Sequence, residues 1–157
     1  MRYLLETCDT VAQAREALER VPVHAPQNLS LLDRTGASVT AYVGPGRPVR
    51  FRDIAATTNH QGAIEWPEYA RAIRTEEREQ CVLDLLADEE LTPERFVESF
   101  LEPPLHNTQY EQGFGTIYTA AYHPAEGRVQ YRWPGHEPWE LAFDRFTPGS
   151  RTVKLSS

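Results

Sequence analysis

Lysine is almost absent from this chain: Lys154 stands alone against fifteen arginines in 157 residues. That skew fits coding bias as readily as function. Cysteine is scarce as well, and Cys8 and Cys81 are too few for a disulfide framework or a metal cluster. Two free thiols in a reducing compartment are expected. No apolar run approaches the ~20 residues needed to cross a bilayer. The N-terminus Met1-Arg2-Tyr3-Leu4-Leu5-Glu6 also lacks the basic-then-apolar form of a secretory signal, so a cytoplasmic location is expected. A positive patch is missing too: net charge is −7 and the basic residues are scattered, which argues against nucleic acid or a membrane as partner.

Several chemical signatures are missing in the same way. His24, His60, His106, His123 and His136 show no metal-ligand spacing, and only His60, beside Asn59, draws attention. The serines lie outside any nucleophile-elbow pattern. Gly113-Phe114-Gly115 precedes a strand and not a helix, so it is no phosphate cradle. No cofactor and no metal are expected. Cys81, in mid-helix beside Val82, reads as a small core residue. Cys8 precedes a helix N-cap but has no base near it in sequence.

What is present is ordinary for one globular domain over residues 1–157, with 40% hydrophobic and 25% charged residues. Thr10-Val11-Ala12-Gln13 has the form of a capping box. The helix after it places Val11, Ala14, Leu18 and Val21 on one face, and Pro22 closes it. Segments 28–33 and 38–43 read as strands joined through Asp33-Arg34-Thr35-Gly36. The extended pattern resumes over 49–53 and 54–58. A helical block covers roughly 67–88, with Thr75 as the point where it can break. Thr92 and Pro93 start another helix to about residue 101, which Pro103-Pro104 ends. Residues 105–114 read as an ordered loop or lid. Strands are expected over 116–122, 128–133 and 139–146. Short turns between consecutive strands require antiparallel pairing, so the fold class is α+β with a mainly antiparallel sheet.

Two residues stand out as site candidates. Asn59 follows the apolar run Ile54-Ala55-Ala56-Thr57-Thr58. An amide at a strand end can be a fixed donor to a developing oxyanion, or simply a turn residue satisfying backbone groups. Arg78 falls on one helical face with Arg71, Arg74, Val82 and Leu85. It can line a site and orient a nucleophile or a substrate carboxylate, or it can be a rim arginine in a salt bridge.

As a set, the blocks Leu4-Leu5-Glu6-Thr7-Cys8-Asp9-Thr10-Val11-Ala12-Gln13-Ala14, Asn28-Leu29-Ser30-Leu31-Leu32-Asp33 and Thr58-Asn59-His60 resemble the penicillin acyltransferase-like (acyl-coenzyme A:6-aminopenicillanic acid acyltransferase) family, which is related to the choloylglycine hydrolases. The segments 115–122 and 129–135 are similar to that family's C-terminal sheet. The match spans nearly all of this chain and the C-terminal part of the family. The resemblance implies an N-terminal-nucleophile (Ntn) αββα sandwich that cleaves or forms linear amide bonds. There, a cysteine exposed by self-cleavage attacks the carbonyl and its own α-amino group serves as base. It also implies an oxyanion-hole role for Asn59 and a site role for Arg78, with Arg74 as the next match. The family's nucleophile lies upstream of the Leu-Leu-Glu block and has no counterpart here, since Cys8 does not match it.

Two functional classes follow. In the first, the chain is a component of an Ntn amide hydrolase or acyltransferase acting on a small-molecule amide or acyl donor, and an N-terminal half supplies the nucleophile. In the second, it is a silent binding or interaction module. An incomplete sandwich would expose apolar surface, so pairing with that half or homo-oligomerisation is expected.

Overall fold

Helix starts in this chain are set by local capping. Thr10 Oγ1 accepts the Gln13 backbone N–H, and the Gln13 side chain accepts the Thr10 N–H, so the capping box is complete. Asp33 adds to it from the sheet, accepting the Val11 N–H at 3.0 Å. Hydrogen bonds from the Thr35 side chain and then from Val11 hold the Asp33 carboxyl below its ordinary range.

The computed structural model describes residues 1–155, in two compact units, Met1–Glu79 and a second that begins at Gln80. In the first unit, α1 (Arg2–Thr7) and α2 (Val11–Arg20) precede a three-stranded antiparallel sheet of β1 (Gln27–Leu32), β2 (Ser38–Val43) and β3 (Arg50–Arg52). β2 is central. Its residues Val39, Ala41 and Val43 lie on one face with Leu29, and Leu29, Ala41 and Val43 pack in one core with Leu4, Ala14, Ala17 and Leu18 of the helices. The opposite face carries Asn28, Thr40 and Tyr42 in register: Asn28 pairs with Tyr42, and Thr40 with Ser30 and Arg52. The period-two alternation of β2 thus assigns one face to apolar packing and the other to residues with polar groups.

α3 (Pro67–Ala72) and α4 (Thr75–Leu86) follow. The helical block breaks at Ile73-Arg74, where Arg74 adopts a left-handed backbone with φ of +52°. That conformation costs a non-glycine residue ~1 kcal/mol or more. The break also removes Arg71 and Arg74 from the face expected for Arg78. Only Val82 and Leu85 share α4 with it.

α4 carries the chain into the second unit, where α5 (Pro93–Ser99) is capped by Thr92 Oγ1. Residues 105–114 hold more order than a loop: β4 (Thr108–Gln109) and β5 (Phe114–Gly115) pair around a short 3-10 turn. An antiparallel meander of β6 (Thr119–His123), β7 (Arg128–Arg132) and β8 (Trp139–Ala142) completes the unit. Every strand pairing described is antiparallel and the class is α+β, as expected. No described helix is long and apolar enough to cross a membrane.

One expected strand is missing. β3, paired with β2, ends at Arg52, and Ile54–Thr58 pairs with no described strand. Asn59 therefore does not end a strand.

Candidate functional site

The segment 54–61 is irregular, yet side chains from the sheet and from α4 hold its backbone. Asn28 Nδ2 donates to the carbonyls of Thr58 and His60, both at 2.7 Å, and to Thr57 Oγ1 at 3.2 Å. Thr40 Oγ1 reaches the Ile54 carbonyl at 3.4 Å. Gln61 Nε2 donates to the carbonyls of Gln27 and Val43, while its Oε1 accepts from Arg47. These bonds do the work of the missing ladder, since backbone polar groups in a half-buried segment need partners.

Thr75, at the first turn of α4, is 1% exposed. Its hydroxyl accepts the Asn59 backbone N–H at 2.9 Å and lies 2.8 Å from Thr58 Oγ1 and 3.1 Å from His60 Nδ1. Thr58 Oγ1 in turn donates to the Thr75 carbonyl at 2.9 Å. On the other side of the imidazole, Nε2 is 3.2 Å from the Glu79 carboxylate, and both side chains are mostly covered, at 12% and 24% exposure. Nδ1 on the opposite edge of the ring faces the hydroxyls of Thr58 and Thr75.

The side chain of Asn59 is fixed from α4 as well. Arg78 Nη2 donates to Asn59 Oδ1 at 2.6 Å, and Arg78 Nε donates to the Ile73 carbonyl at 3.0 Å. A guanidinium has no acceptor, so the amide atom facing it is the oxygen, which leaves Nδ2 as the free end. Burial pushes the Arg78 pKa below its ordinary value, opposed by Tyr69. Arg74, the alternative arginine, turns to Glu77 in an exposed i,i+3 pair and takes no part.

Asn59, His60 and Thr75 border a small cleft of about 90 Å3, part of it open to solvent. Ala63, Ile64, Tyr69, Ala70 and Ile73 give it an apolar lining, and Trp66 stands at its edge, 68% exposed. Asn59 itself is exposed, so its side chain faces solvent as well as the cleft. Neither cysteine lines the cleft: Cys8 packs against the helix–sheet core, and Cys81 lies further along α4. Among the described residues, no His/Cys/Asp/Glu group is arranged to hold a metal ion.

The two residues singled out in sequence, Asn59 and Arg78, are thus in direct contact. Sequence reasoning missed Asn28, Thr75 and Glu79. Asn28 stood inside a block of the family resemblance without an assigned role. Thr75, followed by Glu76 and Glu77 at a suspected helix break, carried an N-terminal helix signal. Glu79 lies four residues beyond Thr75, one helical turn away on the same face.

A sequence model of the family described as acyl-coenzyme A:6-aminopenicillanic acid acyl-transferase matches residues 1–138. The chain belongs to this family. Searches of curated proteins and of solved structures returned no match. For this acyl-transferase family member, the matched region includes both units' strands up to β7 and all of the Asn59–Arg78 site.

Proposed function

We propose that this chain supplies the oxyanion-stabilising part of an Ntn-type site that hydrolyses or transfers an acyl group at a linear amide bond. The carrying observation is the Arg78–Asn59 contact, which holds Oδ1 and leaves Nδ2 free at the border of a cleft. As a thiolate adds to the substrate carbonyl, negative charge develops on the carbonyl oxygen, and a preorganised N–H donor is worth most at that moment. Asn59 Nδ2 is that donor and Arg78 keeps it aimed. Collapse of the adduct expels the amine and leaves an acyl thioester, which water or a second amine then takes up. The nucleophilic thiol comes from outside residues 1–157, on an N-terminal half of the same enzyme. A second copy of this chain is the alternative source of cover for its exposed apolar surface.

A second reading, a silent binding module, shares one observation with the first. Neither Cys8 nor Cys81 lines the cleft, as a silent binding module from this family would have it. Reconstitution separates the two. Mixed with a family N-terminal half bearing the processed cysteine, the chain should restore amide turnover, and Asn59→Ala should lower kcat by roughly a hundredfold. Alone, it should hydrolyse neither acyl-amino acids, penicillins nor conjugated bile acids. Thiol-dependent turnover by the chain alone, lost in Cys8→Ser, would return the nucleophile to Cys8 and end this proposal.

A further inference from the structure

The group Glu79–His60–Thr75 has the outward order of a catalytic triad: a carboxylate at one imidazole nitrogen and a hydroxyl at the other. Burial decides against that role. The Thr75 hydroxyl belongs to a residue only 1% exposed and is already engaged by three neighbours, so no substrate carbonyl can approach it. What the hydroxyl does touch is the backbone N–H of Asn59.

We infer that Thr75 is a positioning residue for the Asn59 amide, with its hydroxyl held in place by the His60–Glu79 pair. The inference rests on the reading of Asn59 as an oxyanion donor. The geometry divides the task between two contacts. Arg78 sets the rotation of the amide at the end of the side chain, and Thr75 sets where the Asn59 backbone lies. A hydroxyl has one proton and accepts through its lone pairs, so Thr75 can accept from Asn59 while donating to His60 Nδ1 or Thr58 Oγ1. The Glu79 carboxylate lies 3.2 Å from Nε2 of the imidazole, and Thr58 donates to the Thr75 carbonyl. Each member therefore limits the freedom of the next, from Glu79 through His60 and Thr75 to Asn59. A displacement of about 1 Å in a reacting geometry costs about a hundredfold in rate, so a contact that fixes the backbone can matter as much as one on the amide.

The test uses two substitutions that separate the hydroxyl from the volume it fills. Thr75→Val keeps shape and removes the hydroxyl, whereas Thr75→Ser keeps the hydroxyl and removes a methyl. Hydrogen exchange at the Asn59 backbone N–H, followed by NMR on the chain alone, should speed up by about tenfold or more in Thr75→Val and stay within about threefold of the parent in Thr75→Ser. A side chain that only fills space gives the reverse order, because serine leaves a void and valine does not. The reverse order, or equal rates in both variants, overturns the inference. If the valine variant does not fold, Thr75→Ala replaces it, since alanine and serine differ only by the hydroxyl. In the reconstituted enzyme, Thr75→Val should lower kcat while KM stays within about twofold, with Thr75→Ser restoring it. If Asn59→Ala leaves turnover intact, the oxyanion reading fails, whatever the exchange rates show. If Asn59→Ala is damaging and Thr75→Val is not, the positioning role alone fails.

Discussion

Arg78 and Asn59 stand 19 residues apart in sequence and meet at 2.6 Å, guanidinium to amide oxygen. The contact is one-sided by chemistry, because arginine donates and never accepts. It makes the amide of an accessible, irregular segment behave as though it were anchored in a helix. The first prediction follows from that asymmetry. Asn59→Asp should keep the contact, now as an ion pair, and so keep the fold while abolishing the donor. Arg78→Leu should do the opposite, leaving a donor free to rotate. In the reconstituted enzyme, Asn59→Asp should cost roughly a hundredfold in kcat and Arg78→Leu about tenfold, read by steady-state kinetics. A larger loss for Arg78→Leu than for Asn59→Asp would mean that the arginine itself meets the substrate.

The capping box gives a stability prediction. Thr10→Ala removes the side-chain oxygen that accepts from Gln13, and should destabilise the first unit by ~1 kcal/mol in denaturant unfolding, with Thr10→Ser close to the parent. An unchanged midpoint in Thr10→Ala would place the control of α2 in Asp33 alone.

His106 gives a pH prediction for the second unit. It is 5% exposed, its Nδ1 has no hydrogen-bond partner, and its Nε2 lies 3.4 Å from the Tyr110 hydroxyl. Burial pushes its pKa below the ordinary 6.5, with the Phe100 backbone and Glu102 opposing. The unfolded chain therefore binds the proton more readily than the folded one. The stability that His106 contributes is present above the unfolded value and is lost as pH falls below it toward the depressed folded value. Thermal midpoints at about pH 7.5 and about pH 5.5 should differ more for the parent than for His106→Asn. Equal differences in both proteins would remove His106 as the cause.

The proposed pairing predicts association. Ile117, Tyr118, Tyr122, Phe143 and Phe146 of the second unit are all exposed, Phe143 at 94%. Sedimentation of the purified chain should show concentration-dependent association, and an added N-terminal half should replace it with a defined heterodimer. A stable monomer at high concentration, with or without that half, would contradict the pairing.

Parts of this molecule were legible in one dimension and parts were not, for identifiable reasons. Thr10 and Gln13, Thr92 and Pro93, and the turn at Asp33–Gly36 act on their immediate neighbours, so the elements they bound appeared where local rules put them. Ile54–Thr58 has strand composition, but its backbone partners are the side chains of Asn28 and Thr40, and no periodicity reports those. Arg74 hid the break in the helical block, because left-handed backbone normally announces itself with glycine or asparagine. Asn59 and Arg78 were nameable singly. Their contact depends on that break, which sets where α4 begins.

The way segment 54–61 is held has a consequence for where its information is stored. Each of its main anchors, Asn28, Thr40 and Thr75, lies outside it in sequence. Ala55 and Ala56 take no part in the described hydrogen bonds, so they should tolerate exchange for other small residues. A mutational scan confined to the segment would find Ala55 and Ala56 permissive and would score Thr58, Asn59, His60 and Gln61 as the sensitive positions. The segment's conformation is written instead on β1, β2 and the first turn of α4. Grafting 54–61 onto another scaffold without those three anchors would transfer the letters of the site and lose its shape.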